Sequence, residues 1–431
     1  MIISHKIELK PNNKAKSHFR KAFGCSRLAY NWGLAKWQEY YKQGKSTSYL
    51  DLKKEFNNLK KEEFPFVYEV SKYATQQPFI NLNEAFQRFF RDLKVGKVSY
   101  PKFKRKKDNY GSYYIGGDQV VISDKPKISK KLKIQSNKKK YLKIPNFGYV
   151  KMKEELRFNG KINSVTISQV SDKYYASFSV EIDEKEYYRT HHKPINNNTG
   201  IGVDVGIESF ITLANGIKVI SPKPLNKLSR KLIRKSRQLS KRQHPKTKGD
   251  LTSKSNNYNK TALELSKLHR EIANIRNDFI HKTTASLIRN YEYIAIEDLS
   301  VKEMMKNHHL ARHLSDVSFY EFRRQLEYKA DYNKRQIIYA DKFYPSSKLC
   351  SVCGNHKDNL QLSDRVYRCG NCGNILDRDY NASMNLYHLI EKQIGKVLPE
   401  FTPADLTALL SCLAINNLTT SKVETGIQQK S

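Results

Sequence analysis

Two Cys-x-x-Cys pairs, Cys350/Cys353 and Cys369/Cys372, frame a loop of fifteen residues near the C-terminal end of the chain. That spacing matches a four-thiolate zinc site. Zinc takes four soft ligands in a tetrahedron, and four thiolates leave no open position for water, so the expected metal is structural. Each pair sits on a tight turn: Gly354 follows the first, and Gly370 and Gly373 flank the second. Cys25 and Cys412 stand alone. Four paired cysteines in a chain of this size point to a metal site in a reducing compartment rather than to a disulfide framework. Residues 345–373 are therefore expected to form a zinc ribbon.

Charge narrows the partner. Lys and Arg number 78 against 42 Asp and Glu, a net of +36 over 431 residues. Such an excess repels itself and suits a surface that a polyanion will cover, so nucleic acid is the leading partner. The basic residues are spread over the whole chain rather than gathered beside one apolar anchor, which argues against an anionic membrane. No apolar run is long enough to span a bilayer, and MIISHKIELK lacks a signal peptide's apolar stretch. The expectation is a cytoplasmic, nucleoid-associated protein with no membrane contact and no obligatory protein partner. The length implies two to four domains.

Residues 1–10 alternate like a strand, with Ile3, His5, Ile7 and Leu9 on one face. From Asn12 the period becomes helical. Phe19, Phe23, Tyr30, Leu34, Trp37 and Tyr41 form an aromatic stripe expected to pack helix against helix, and Gly44 ends that helix. Further helices are expected near 48–60 and 71–94, followed by a basic loop that holds Lys102, Lys104 and Arg105. From about Tyr110 to Ile182 short β-rich runs alternate with Gly, Pro, Asn and Asp. A small antiparallel barrel fits, built from 1–11 and 96–183, with the helical block 12–95 inserted into it. Residues 184–199 are polar and aperiodic and read as a linker; His191 and His192 there read as solvated.

Next, GIGVDVGIESFITLANGIKVI reads as a strand meander with an Asn215-Gly216 hairpin turn. A basic helical hairpin follows, with Leu225, Leu228, Leu232 and Leu239 along one helix and Leu268, Ile272, Ile275 and Phe279 along the other. Arg230, Arg234 and Arg237 lie on the first helix with few acidic partners, which suits a phosphate-facing surface. Tyr293–Glu297 is a nearly all-apolar strand of the kind found in a parallel sheet. Residues 301–315 show no clear period; Val317–Lys329 reads as a helix, Gln336–Ala340 as a strand and 378–392 as a helix. The tail from 396 to 431 reads as disordered.

Three acidic residues carry the chemistry. Asp204 lies inside an apolar strand between Gly202 and Gly206, where a charge is costly without a partner and where glycines let something approach the backbone. Glu297 sits at the carboxyl end of its strand, the place where open α/β sheets bind ligands. Asp379 opens a helix shortly after Cys372, where the ribbon ends. Two carboxylates on adjacent strands and a third on a helix packed against them make the ligand set of an RNase H-like site. Carboxylates are hard donors that suit Mg2+ or Mn2+, and two such ions can serve phosphodiester hydrolysis. Asp298 and Asp377 are the nearest substitutes for these acids. A Gly-x-Asp-x-Gly strand also occurs in actin-like ATPases, but the Ser/Thr-rich phosphate turn of those enzymes is missing here.

These segments resemble the TnpB family, the RNA-guided nucleases of insertion sequences related to type V CRISPR effectors. The resemblance rests on GIGVDVGIESFITLANG, IAIEDLSVKEMMKNHHLARHLSDVSFYEFRRQLEYKA, FYPSSKLCSVCG and YRCGNCGNILDRDYNASMNL, and more weakly on Gln76-Gln77 before NLNEAFQRFF and on PKFKRK. It implies a multidomain α+β and α/β fold: an N-terminal β-barrel with an inserted helical domain, then a RuvC-type nuclease over 200–344 and 374–395, interrupted by the ribbon. It places Asp204, Glu297 and Asp379 on the catalytic acids, with Asn381 matching the Asn that follows, and Cys350, Cys353, Cys369 and Cys372 on the zinc ligands. Gln76 or Gln77 falls where a short motif beside the target is read, and Met304–His313 where a lid lies. His309 and His313 could share a helix face there. The implied function is Mg2+-dependent cutting of double-stranded DNA directed by a guide RNA from the transposon end. The rivals are an RNA-guided repressor, a transposase that joins strands itself, and a guide-free RuvC-like nuclease.

Overall fold

The computed structural model describes residues 1–106, 111–123, 140–191, 199–247, 250–361 and 363–399, without the side chains of residues 189–191 and 309. The chain divides into two compact units, Met1–Thr190 and His191–Ser431.

The first unit opens with β1 (Ile2–Lys10), which buries Ile3, His5, Ile7 and Leu9 by strand alternation. Asn12 then caps α1 (Asn13–Lys42), its side chain accepting from the Ala15 N–H at 2.8 Å. Gly44, at φ +70°, follows the helix end. A capping box of Ser48 and Asp51 starts α2 (Tyr49–Leu59). A short 3-10 turn, Pro65–Glu69, leads to α3 (Tyr73–Leu93). The strands β2 (Gly111–Gly116), β3 (Val121–Ser123), β4 (Tyr141–Ile144), β5 (Gly148–Met152), β6 (Lys161–Val170) and β7 (Lys173–Glu181) follow, and then α4 (Glu184–His191).

The aromatic stripe of α1 splits between two cores. Phe19 and Phe23 pack on the sheet with Tyr113 and Tyr174. Tyr30 and Leu34 meet Leu82 and Phe86 of α3, and Trp37 stacks on Phe86 at 4.2 Å. Tyr41 is exposed and takes no part. One long helix thus ties the sheet to the helical block, because its period carries a single apolar face past both.

The seven strands form one antiparallel sheet in the order β2-β6-β7-β1-β5-β4-β3. The expected closed barrel is not seen. The edge strands β2 and β3 are separated by only residues 117–120, yet among the described residues they do not pair with each other. The polar groups of that connection are used elsewhere: Tyr73 Oη donates to Asp118 at 2.7 Å and Ser71 Oγ to Gln119 at 2.6 Å. The turn is drawn to the start of α3, and the sheet stays open. Strand β5 was not expected from the sequence, since Gly-Tyr-Val-Lys-Met is short. The stretch 184–199, expected as a linker, begins with α4, and His192 lies outside the described residues.

The second unit is built on β8 (Gly200–Val205), β9 (Ile211–Leu213) and β10 (Lys218–Val219), an antiparallel meander turned at Asn215-Gly216, with Gly216 at φ +82°. The helices α5 (Pro224–Lys241) and α6 (Asn256–Asn290) form the basic hairpin. Then come β11 (Tyr293–Glu297), α7 (Val301–Met304), α8 (His308–Val317), α9 (Phe319–Tyr332) and β12 (Gln336–Ala340). The aperiodic stretch 301–315 is thus two short helices, too brief for a period to show. The order β10-β9-β8-β11-β12 is mixed: β11 runs parallel to both β8 and β12. A two-stranded hairpin, β13 (Val366–Arg368) and β14 (Ile375–Asp377), precedes α10 (Arg378–Ile394), which packs across the sheet. Leu398, in the segment expected to be disordered, is buried in this core; residues 400–431 of that tail lie outside the described residues.

Candidate active site

Strand register brings the first two acids together. Ile296 of β11 lies opposite Val203 of β8. The next residues on the two parallel strands are Glu297 and Asp204, so both carboxylates leave neighbouring strands, about 4.8 Å apart, at their carboxyl ends.

The third acid arrives through a groove of glycines. Gly200, Gly202 and Asp204 alternate onto one face of β8. A Cβ on Gly202 would stand 2.0 Å from the Ser383 carbonyl oxygen and 2.6 Å from the Tyr387 nitrogen, both in α10. One on Gly200 would meet Leu398 at 2.4 Å and Ile390 at 3.3 Å. Helix α10 therefore lies directly on the backbone of β8 and runs along it in the opposite sense. Asp379, one turn before Ser383, is carried toward Asp204.

The electrostatics agree with this grouping. Burial raises the Asp204 pKa well above the usual carboxylate range, and the charges of Glu297 and Asp379 raise it further, against Arg378. Glu297 is raised by burial, opposed by its hydrogen bond from Ser346 and by Arg378. Asp379 is raised by burial and then by Asp377, with Lys218, Arg365 and Arg378 opposing. In all three the leading cause is burial, which disfavours the charged carboxylate.

The two substitute acids are already engaged. Asp298 pairs with Arg323, which also bonds Glu327 at 2.9 Å and lies over the Tyr339 ring at 4.5 Å. Asp377 caps α10 by accepting from the Tyr380 N–H at 3.0 Å, and Lys218 bonds its other oxygen at 2.7 Å. Of the remaining acids, Asp204 feels the charges of both Glu297 and Asp379, and Asp377 acts on Asp204 and Asp379 as well.

The four cysteines converge. Cys350 and Cys372 have their sulfurs 3.7 Å apart, Cys353 and Cys369 3.6 Å, and all four lie within 4.8 Å of one another. A tetrahedral zinc with ~2.3 Å bonds would separate its sulfurs by about 3.8 Å, so the set fits a metal. Each half repeats Cys-x-x-Cys-Gly-Asn. The Cys350 N–H bonds the Asn355 carbonyl at 2.9 Å, as the Cys369 N–H bonds that of Asn374 at 2.8 Å. Gly354 and Gly373, at φ +70° and +71°, close both turns. Among the described residues this is the one group of three or more Cys, His, Asp or Glu ligand atoms so tightly gathered.

The cluster is bonded to the acidic site. Asn381 of α10 donates to the Leu349 carbonyl at 2.6 Å and accepts from the Ser351 N–H at 2.9 Å. Asn385, one turn on, donates to the carbonyls of Ser346 and Leu349 at 2.7 and 2.8 Å. Ser346, buried in the same segment, donates its hydroxyl to Glu297. Sequence reasoning missed Ser346 and Asn385. The available signal was an i, i+4 pair of asparagines on the buried face of a helix, which must find partners.

The proposed nucleic-acid contacts are scattered. Gln76 and Gln77 are half-buried near the start of α3, and Gln77 bonds Asn81 at 3.2 Å. Lys102 and Arg105 are exposed. The Lys104 main chain is clamped by Asn31 through bonds of 2.8 and 2.9 Å, and its ammonium lies 4.0 Å from the Tyr30 ring centroid, so part of its role is to fasten the basic loop to α1. Arg230, Arg234 and Arg237 line one shallow groove along α5 with Ile233, Gln238 and Lys241. His313 lies on α8, and the side chain of His309 is outside the described residues.

Three family models match. One described as "Probable transposase" covers residues 177–308, one described as "Cas12f1-like, TNB domain" covers 319–386, and one described as "Helix-turn-helix domain" covers 1–46. A protein of Streptomyces pristinaespiralis named as a candidate RNA-guided DNA endonuclease is 29% identical over 385 residues, 88% of this chain and 87% of the relative. One of the same description from Escherichia coli K12 is 27% identical over 404 residues, 88% and 90% of the two chains. A TnpB-like protein of Acanthamoeba polyphaga mimivirus is 28% identical over 285 residues, 63% of this chain and 53% of that one. Over most of its length the chain is thus similar to proteins named as TnpB-like or as RNA-guided DNA endonucleases. The segment matched as helix-turn-helix is here a strand followed by one uninterrupted 30-residue helix.

Proposed function

We propose that this protein is an insertion-sequence RNA-guided DNA endonuclease, cutting beside a short flanking motif at a RuvC-type site made of Asp204, Glu297 and Asp379. The single observation that carries the cutting step is the placement of Asp204 and Glu297 at the ends of paired parallel strands, with α10 pressed onto Gly202 beside them. The strand order β10-β9-β8-β11-β12 suits an RNase H-like sheet, and the named relatives supply the guide and the target.

The three carboxylates would hold Mg2+ or Mn2+, which when bound supplies activation of water and neutralisation of the leaving oxygen. The chain's own contribution is to gather the acids at a half-buried strand end and fix their direction. Ser346 orients Glu297, and Arg378 offsets the mutual repulsion of the acids. The four thiolates would hold a structural zinc. Metal analysis finding no zinc in purified protein with reduced cysteines removes that assignment.

The guide RNA would lie on the basic surfaces, with Lys102, Lys104, Arg105, Arg230, Arg234 and Arg237 on phosphates and Gln76 or Gln77 at the flanking motif. Such a protein works at the nucleoid; among the described residues no helix is long and apolar enough to cross a membrane. The test is Asp204→Ala: cleavage of target DNA in Mg2+ should fall at least about 100-fold, close to 3 kcal/mol of barrier, with RNA-guided binding retained. Full cleavage by the variant sinks the site. Guide-free joining of strands would instead favour a transposase.

A further inference from the structure

Glu297 and Cys350 belong to different candidate metal sites, yet a short path of buried bonds joins them. The path starts at the first knuckle. Asn381 accepts from the Ser351 N–H at 2.9 Å and donates to the Leu349 carbonyl at 2.6 Å, so it grips the backbone on both sides of Cys350. Asn385 uses both hydrogens of its amide, one on that same Leu349 carbonyl at 2.8 Å and one on the Ser346 carbonyl at 2.7 Å. The Ser346 hydroxyl then donates to Glu297.

The segment between Ser346 and Cys350 is a tight turn. The Pro345 carbonyl accepts from the N–H groups of Lys348 and Leu349 at 2.9 and 3.1 Å. Tyr367, packed with Cys350 and Cys369, places its hydroxyl 3.1 Å from the Lys348 carbonyl and 3.2 Å from that of Asn355. Cys350, Ser346, Asn381 and Asn385 are each no more than 5% exposed. A polar group so buried has little water to turn to when its partner moves, so these bonds tend to hold or break together. The same two asparagines sit on α10, whose first turn carries Asp379. The first knuckle thus bears on two of the three acids: on Glu297 through Ser346, and on Asp379 through the helix.

Four sulfurs within 4.8 Å of one another repel as thiolates and stay gathered when they share a cation. A knuckle that opens draws the backbone at 349–351 off its asparagines and frees Ser346 from Glu297. We infer that the two metal sites are coupled through Asn385 and Ser346: zinc on the thiolates raises the affinity of the acids for a divalent cation, and a cation on the acids tightens zinc. Asn385 is then a positioning residue, acting on Glu297 through Ser346. The coupling rests on the two metal assignments proposed above and adds a direction of control, in which zinc supply sets whether the acids can hold their cation. Linkage makes the two effects equal for a given pair of ions, and such couplings are commonly about 5- to 150-fold.

The test uses the full chain, either zinc-loaded or stripped of zinc under reducing conditions. Mn2+ binding by calorimetry, with Asp204→Ala as the background, should weaken about tenfold on loss of zinc. Zinc is then partitioned against a pyridine-amine chelator, whose nitrogen donors bind Mg2+ poorly. Saturating Mg2+ at constant ionic strength should shift that partition toward the protein by a comparable factor. Ser346→Ala leaves both asparagines on the ribbon, so it should retain zinc and lose the Mg2+ dependence. Asn385→Ala should lose it too, with a thermal melt to check its fold. Zinc partition indifferent to Mg2+ in the parent protein, or a Ser346→Ala variant with the full Mg2+ effect, overturns the coupling while both sites stand. Zinc-loaded protein that binds no Mn2+ above background, or purified protein without zinc, overturns a metal assignment and the coupling with it.

Discussion

Ser346 shows how one hydroxyl can decide the geometry of a charged site. Its donor points at Glu297 while its own carbonyl is held by Asn385 of α10. A carboxylate meant to hold a cation has rotational freedom, and a buried donor removes it. Ser346→Ala leaves every acid and cysteine in place. It should weaken divalent-cation binding or cleavage by about 10- to 100-fold, as losses of outer-shell partners do. Isothermal titration with Mn2+ and a cleavage assay check this, and unchanged values for both would show that Glu297 is oriented by other means. The raised pKa values of Asp204 and Glu297 belong to the same scale. They come from burial first, a cost that the cation of the proposed site would offset on binding.

At the scale of elements, the contact between β8 and α10 is the tightest in the second unit. It depends on Gly202 having no side chain, because the backbone of α10 occupies the space where a Cβ would stand, and on Gly200, where the side chains of Leu398 and Ile390 do. Gly202→Val should push α10 and Asp379 away from β8. Overpacking of this kind costs about 1–3 kcal/mol, seen as a lower melting temperature, and cleavage should fall more steeply than stability. A variant with wild-type melting and cutting would mean that α10 can shift without consequence. The ribbon belongs to this scale too. Its first knuckle is tied to α10 by Asn381 and Asn385 and to β11 through Ser346, so it is an insertion that braces the site from two sides.

Across the whole molecule, charge is the dominant fact. The net of +36 is distributed over both units, and among the described residues the basic side chains are unevenly paired. Lys235 pairs with Glu264 at 2.7 Å, whereas Arg230, Arg234 and Arg237 line an open groove on the same helix. Replacing these three arginines by alanine should reduce the slope of log affinity for RNA against log salt by about two. Thermal stability should hardly change, because exposed charges contribute little to it. A slope identical to that of the parent protein would show that this groove touches no phosphate.

Much of the site was legible in the chain because its chemistry is local. Cys-x-x-Cys spacing, an acid isolated in an apolar strand and an acid opening a helix are patterns within a few residues, and the structure gathers the four cysteines. The strands β4, β12 and the helix α3 were legible for the same reason, each having a clear period. The closed barrel was not, because closure depends on whether β2 and β3 pair, and Tyr73 and Ser71 from a distant helix take the polar groups of the connection between them. Ser346 and Asn385 were invisible because a buried hydroxyl or amide has a role only once its partner is known, and those partners lie 49 and 39 residues away in the chain. The sequence alone determined which residue types are available to ligate a metal and that the chain carries a large positive excess, since side-chain chemistry and net charge do not depend on the fold. Only the tertiary structure decided how the thiolate ribbon is joined to the carboxylates, since that link is a matter of which backbone groups come within about 3 Å of one another.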